Sequence, residues 1–333
     1  MVTGRSACGL FRSSLFLIII VASTACHRSE RIMPETLSLD STLSVLSDTL
    51  YFSGNIPCLE AVDQRVIISD YQQGIIEIDQ SGKILSSYAR PGNGPGEVLG
   101  CGHLSYSPDG KVWIFDEGHA IMHSYREGVP SGDERMPSGL MPSYNVRFVA
   151  LNDTLYYSVT GADRLVNALW NETVVGVMCP VSKYDDVEMP RHSERHVVRG
   201  DHSLFVVCLA LPLVEEFSLS GESMSSYDLM SIPERAEIFQ KEKSIVPNKF
   251  FVANKDACYR EGSLYILSAS TKGGYHCDEV IVLEKDGQKM RHAHTFVLSG
   301  GRSYSTITVS EKGLLYAFNN RTASLDIYLL PER

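Results

Sequence analysis

The sequence contains no GxSxG nucleophile elbow, no HExxH helix and no Walker phosphate loop, which removes the commonest hydrolase, zinc-protease and nucleotide-binding signatures. Its eight cysteines include no CxxC pair, so the spacing of a structural zinc site is missing. A basic excess is missing too: 30 Lys and Arg stand against 40 Asp and Glu, a net charge of −10. That balance argues against non-specific nucleic-acid binding and for simple solubility, so no nucleic-acid partner is expected. The N-terminal apolar run, Ser14 to Val21, is too short to span a bilayer as a mature helix.

What is there favours strands. Sixteen Tyr, twelve Phe and many Val and Ile suit a pleated, half-buried surface. A length of 333 residues allows one large all-β unit or two ordinary domains. One signature recurs: a polar turn, then a short apolar strand. It appears as DQRVIISD at 63–70, DGKVWIFD at 109–116, NDTLYYSV at 152–159, GDHSLFVV at 200–207, GSLYILS at 262–268 and KGLLYAF at 312–318. The first core residues, Val66, Val112, Leu155, Leu204, Leu264 and Leu315, are spaced by 46, 43, 49, 60 and 51 positions. Propeller blades recur at about 40–50 residues. Six signatures therefore predict an all-β, six-bladed β-propeller. Further strand material follows each signature, as in GIIEID and GKILSSYA after Asp70, joined by a turn at Gln80-Ser81-Gly82. Each unit then has four strands. The second is the most apolar because neighbouring blades cover both its faces.

The two ends predict how the ring closes. After Phe318 only SLDIYLL at 324–330 remains, which leaves the last blade one strand short. The stretch TLSVLSDTLYFS at 42–53 has no blade of its own and is expected to supply that outer strand, pairing Leu43–Phe52 with Ser324–Leu330. The spacing of 60 reflects an insertion at 231–250 with a helix from Pro233 to Lys243. The polar stretch 183–200 is read as a rim loop.

At the N-terminus, Arg5 and Arg12 precede the apolar run, and Ala22-Ser23-Thr24-Ala25 leads into Cys26. Small residues before a single Cys resemble the bacterial lipobox. The resemblance implies a signal peptide over 1–25, cleavage before Cys26, a lipid thioether on its sulfur and an acylated amine. Several acyl chains anchor a protein stably to a membrane. Residues 26–42, polar and containing Pro34, are read as a tether, with the propeller domain over 43–333. No acidic run follows Cys26, so the expected place is the cell envelope, on the outer membrane facing the periplasm. That compartment permits disulfides. Cys208, in LFVVCLA, reads as a core residue, and Cys258 with Cys277, flanking a hairpin, are the first pair to consider.

The stretch RPGNGPGEV at 90–98, followed by SPDGKVWIFD at 107–116, is similar to the NHL-type repeat, in which a Gly-rich corner leads into blade strands ending in Asp. With the lipobox ahead of it, the chain resembles the TolB-like, NHL-related six-bladed β-propeller lipoproteins. The likeness covers about 58–126. Blades three to six lack the corner, and the Asp becomes Ser158, Val207, Ser268 or Asn319.

Candidate site residues are few. Gly92, Gly94 and Gly96 lie between strands and serve chain turning rather than phosphate binding. Asp70 and Asp116 end second strands, where an acid bonds turn amides or reaches a ligand at the ring face. Arg90, Asn93 and Glu97, in the corner, are candidates for polar ligand contacts unless Arg90 and Glu97 pair with each other. His292 and His294 share one face of an outer strand. His103, His119 and His123 gather in blade two, with no diagnostic spacing. No catalytic residue, metal set or cofactor is predicted. The resemblance and the fold imply a membrane-anchored binding or scaffolding protein, with a protein, peptide or glycan partner on the ring face or in the central channel. The alternative is a metal-dependent lyase or lactonase, which needs three or more His, Asp or Glu from different blades converging in the channel.

Overall fold

The computed structural model describes residues 32–332 apart from 48–49, 144–145, 160–163, 181–193, 246–251, 271–275 and 300–302. Six antiparallel sheets follow one another along the chain. Their second strands are Arg65–Asp70, Lys111–Asp116, Thr154–Ser158, Ser203–Cys208, Ser263–Ala269 and Leu314–Asn319, at the six predicted positions.

Side chains alternate along a strand, so each second strand feeds two cores. Val66 and Ile68 face blade six, where they pack with Tyr316, Phe318 and Leu325. Ile67, between them, faces blade two and packs with Leu104, Val112 and Ile114. Leu264 and Ile266 likewise join Phe205 and Val207 of blade four, while Tyr265 and Leu267 join Ile307 and Leu315 of blade six. The other two clusters fill the interfaces between blades two and three and between three and four. Six interfaces for six blades mean a closed ring: a six-bladed β-propeller.

Closure uses more of the N-terminus than predicted. Leu39–Leu43 is the antiparallel fourth strand of blade six, with Leu39 opposite Tyr328 and Leu43 opposite Leu325. The pairing of the two ends holds, but of the predicted Leu43–Phe52 only Leu43 takes part, and the rest of the paired segment lies upstream. Val45–Ser47 and Leu50–Tyr51 instead pair with each other as a small two-stranded antiparallel sheet. Just upstream, Glu35–Leu37 runs parallel to Lys289–Leu298 as a fifth strand of blade five. The tether boundary at 42 is corrected accordingly: strand structure begins at Glu35. The reason is that a solvent-facing outer strand needs few apolar residues, and LDSTL carries none of the alternation of a half-buried strand. Residues 1–31, with the proposed signal peptide and Cys26, lie outside the described residues.

The structure also settles four further expectations. The helix forms, over Pro233–Ile245, between blades four and five, and Arg235 on it is buried against Glu279 of blade five. Most of 183–200 lies outside the described residues, but Arg195–Arg199 is the inner strand of blade four rather than loop. Cys258 and Cys277 are free thiols, because the blade register sets Cys258 opposite Tyr265 and Cys277 opposite Ala269. Cys208 is fully buried, as expected.

Candidate functional site: a plugged channel with two mouths

In a meander the first and third strands end on one face of the ring, here called the upper face. The turns after the second strands and the links between blades lie on the lower face. Inner strands line the central channel, and at mid-depth the channel is filled by charge. Arg147, just ahead of the blade-three inner strand Val149–Leu151, meets Asp256 of the blade-five inner strand Asn254–Arg260. Arg147 Nε donates to Asp256 Oδ1 at 2.6 Å and Nη2 to Oδ2 at 2.8 Å. Nη2 also reaches the carbonyls of Leu59 (3.0 Å) and Ile307 (2.8 Å), in blades one and six. Thr306 Oγ1 and the Ile307 amide donate to Asp256 Oδ2 at 2.6 and 2.8 Å. Four blades are thus tied to one ion pair, and both partners are buried.

A paired, hydrogen-bonded charge is the form in which burial of a charge is tolerated. Burial alone raises the Asp256 pKa, but Arg147 outweighs it and holds the carboxyl down at about 2. Two channel histidines show the opposite balance. Burial lowers His103 to about 3 and His196 to about 4, so both imidazoles are neutral in the fold.

Above this plug the upper mouth opens as a cavity of about 260 Å³ lined by Glu60, Tyr106, Arg199, Tyr259, Arg260 and Glu311, among others. Glu60 Oε2 accepts the Tyr106 amide at 2.9 Å. Burial pushes the Glu60 carboxyl above the usual range, against the pull of Arg147, the Tyr106 amide and Arg199. Arg260 pairs with Glu311 at 2.5 Å, and the Tyr259 hydroxyl donates to Asp201 at 2.6 Å while its ring stacks on Phe205. The mouth offers both signs of charge and two tyrosines. Around it, large apolar side chains are exposed at the upper ends of five blades: Leu85, Val129, Trp170, Leu219 and Leu329, each at least 45% accessible.

The sequence-predicted residues gather on the lower face instead. Asp70 is buried and accepts the amides of Ser53 (2.8 Å), Gln72 (2.9 Å) and Gln73 (3.1 Å). Asp116, its counterpart in blade two, accepts the amides of Leu99 (3.1 Å), Gly118 (2.9 Å) and His119 (3.3 Å). Each acid joins its own turn to the chain that precedes the blade. In the corner, Glu97 folds back over Gly92 and accepts the Gly94 amide at 2.7 Å; a side chain at Gly92 would collide with its carboxylate. Arg90 and Asn93 are exposed, and the Arg90 carbonyl accepts the Val98 amide at 3.0 Å. No ion pair joins Arg90 to Glu97 among the described residues. The lower mouth, with His103, Glu117, Lys255 and Ser305, is a separate cavity of about 360 Å³.

His292 and His294 do not share a face in the structure, because a bulge shifts the register between Val282 and Leu283 opposite them, and His292 Nε2 bonds Thr295 Oγ1 at 2.8 Å. Asp116, His119 and His123 do come together, within 4.8 Å, in the turn of blade two and away from the channel. Arg147, Asp256 and Glu60 escaped sequence reasoning, and His196 was legible only as a possible rim histidine near blade four. Their one signal was polarity in stretches where an inner strand was due.

No protein-family model matches the chain, and no curated protein matches it. Solved structures do. A putative exported protein from Bacteroides fragilis superposes with a TM-score of 0.59 at 10% identity, over 92% of this chain and 98% of that one. Virginiamycin B lyase from Staphylococcus aureus gives 0.53 at 12%, over 87% and 99%. The WD40 repeats of RRP9 give 0.51 at 12%, over 90% and 100%. The likeness is one of fold. At such identities the propeller carries an enzyme in one case and a repeat domain in another, so function rests on this chain's own site.

Proposed function

We propose that this chain is a lipid-anchored binding protein whose propeller receives a protein partner on its upper face. The observation that carries the proposal is the Arg147–Asp256 plug. It closes the channel at mid-depth, so the upper mouth is a cup rather than a conduit. A cup holding Glu60, Arg199 and the Arg260–Glu311 pair presents both charges, and Tyr106 and Tyr259 supply rigid amphipathic surface. The apolar side chains at the upper ends of five blades extend that surface outward, as in a partner-binding face with a mixed centre. The alternative, a metal-dependent lyase or lactonase, asks for channel ligands from several blades. The described His/Asp trio sits on blade two alone.

The membrane attachment in this reading comes from Cys26, with an envelope location facing the periplasm, and the corner at 90–98 supports kinship with the TolB-like, NHL-related lipoproteins. No helix among the described residues is long and apolar enough to cross a membrane. The test is photo-crosslinking in intact envelopes. A benzophenone amino acid at Trp170 or Leu219 should yield a discrete protein adduct, and one at Tyr71 or Leu99, on the lower face, should not. Adducts from the lower face alone would reject the docking face. Cys26→Ser, expected to abolish fatty-acid labelling and membrane retention, tests the anchor separately.

A further inference from the structure

Blade two carries a second polar constellation that the upper-face reading does not use. Asp116 ends the second strand, His119 lies in the turn, and His123 sits on the third strand, Ile121–Arg126. The antiparallel register places His123 opposite Asp133 of the fourth strand, Val129–Arg135. His119 Nδ1 is 2.8 Å from Asp116 Oδ2, and His123 Nε2 is 3.5 Å from the same oxygen. On its other side, His123 Nδ1 is 2.7 Å from Asp133 Oδ1.

The proton positions follow from these partners. A carboxylate only accepts, so the contact with Asp133 fixes the His123 proton on Nδ1. In the neutral imidazole Nε2 then carries a lone pair. That atom is buried, makes no hydrogen bond, and points toward another acceptor, the Asp116 carboxylate. A lone pair facing an anion is unfavourable unless a cation, a proton or a metal ion, stands between them. A carboxylate that orients an imidazole from behind, leaving the far nitrogen free, is the arrangement that supports histidine ligands in metal sites.

We infer that Asp116, His119 and His123 form a binding site for a divalent transition-metal ion of the zinc class, with Asp133 as the group that orients His123. Two imidazoles and one carboxylate suit Zn²⁺ rather than Mg²⁺ or Ca²⁺, which prefer oxygen. The ligand atoms already lie within 4.8 Å of one another, and tetrahedral bonds of about 2.0–2.1 Å need separations a little over 3 Å. His119 must move its proton from Nδ1 to Nε2. Its side chain, 37% accessible, exchanges that proton with water without other rearrangement. Asp116 keeps its amide bonds from Leu99 and Gly118, so the carboxylate is held in place before the ion arrives. Three protein ligands leave a tetrahedral ion one further position, and His119 is the partly exposed member of the trio. The site braces the turn of blade two against its two outer strands and leaves one position for water or a partner's donor atom.

The test titrates full-length protein, in detergent and stripped with chelator, first with Zn²⁺ by calorimetry and then with Co²⁺ by visible absorption. One equivalent of Zn²⁺ should bind, and Co²⁺ should give the d–d bands of a nitrogen and oxygen site without thiolate charge transfer. His123→Ala should weaken binding at least 100-fold, and Asp133→Asn 10- to 100-fold. His292→Ala, at a histidine outside the cluster, should leave it unchanged. His119→Gln repeats the test on a side chain that no core packing depends on. No stoichiometric binding, thiolate bands, or full binding in both His123→Ala and His119→Gln would overturn the site. None of these results depends on a partner at the upper face.

Discussion

Arg147 and Asp256 face each other across the channel from blades three and five, 109 residues apart in sequence, joined by two hydrogen bonds of 2.6 and 2.8 Å. The pair gathers backbone groups from blades one and six as well, so it stands where a propeller could otherwise hold water or a ligand.

Breaking this pair from one side leaves a buried charge without its partner. Arg147→Met should therefore cost about 3–5 kcal/mol, read as a lower urea midpoint. Removing both charges, in Arg147→Met with Asp256→Leu, should recover part of the loss. Full recovery is not expected, because the Ile307 amide and the carbonyls of Leu59 and Ile307 also lose partners. Asp256 titrates lower in the fold than in the unfolded chain, so its contribution is present above about pH 4 and is lost as pH falls toward 2. A single mutant as stable as the parent would contradict the plug.

The channel histidines set a second acid sensitivity at higher pH. Both are held well below 6.5, to about 3 for His103 and about 4 for His196, so below pH 6.5 the unfolded chain takes up protons that the folded one does not. Stability should fall from pH 6.5 to about 4, by up to about 1.4 kcal/mol per pH unit for each histidine. Replacing both by Asn should flatten the urea midpoint between pH 7 and 4. An unchanged slope would mean that these groups are not the source.

Ring closure predicts a particular weak point. Leu37, 4% accessible, packs with Phe296 and Leu298 although it belongs to a three-residue edge strand. Leu37→Ala should cost about 2 kcal/mol, and pulsed proteolysis should then cut first within 32–44. Cleavage starting elsewhere would show that the N-terminal strands are not the latch.

Charge reversal at the upper mouth should separate binding from folding. The Arg260–Glu311 pair is partly exposed, so Arg260→Glu should change stability by less than about 1 kcal/mol. The same change should abolish the adduct formed from Trp170. Retention of the adduct would move the partner's footprint off the mouth.

How far the sequence speaks depends on what buries each strand. The six second strands were legible because neighbours cover both their faces, which leaves runs such as VIIS at 66–69 and VVC at 206–208. The helix was legible from Pro233 and the helix formers after it. The outer strand of blade six was not: Leu39–Leu43 is largely exposed, so nothing selects an apolar pattern there, and the pairing segment was placed too late. Inner strands were harder still. Arg195 and His196 gave 195–199 the look of a loop, because residues facing a polar channel resemble residues facing solvent.

The same divide runs through the sites. Alternating burial and repeat spacing, both local, determined by themselves that this chain makes six blades and closes end to end. Only the tertiary structure decided that Arg147 meets Asp256 and that His123 is backed by Asp133 and aimed at Asp116. Those are contacts between strands or blades, and charge complementarity across such distances leaves no period in the sequence from which to read it.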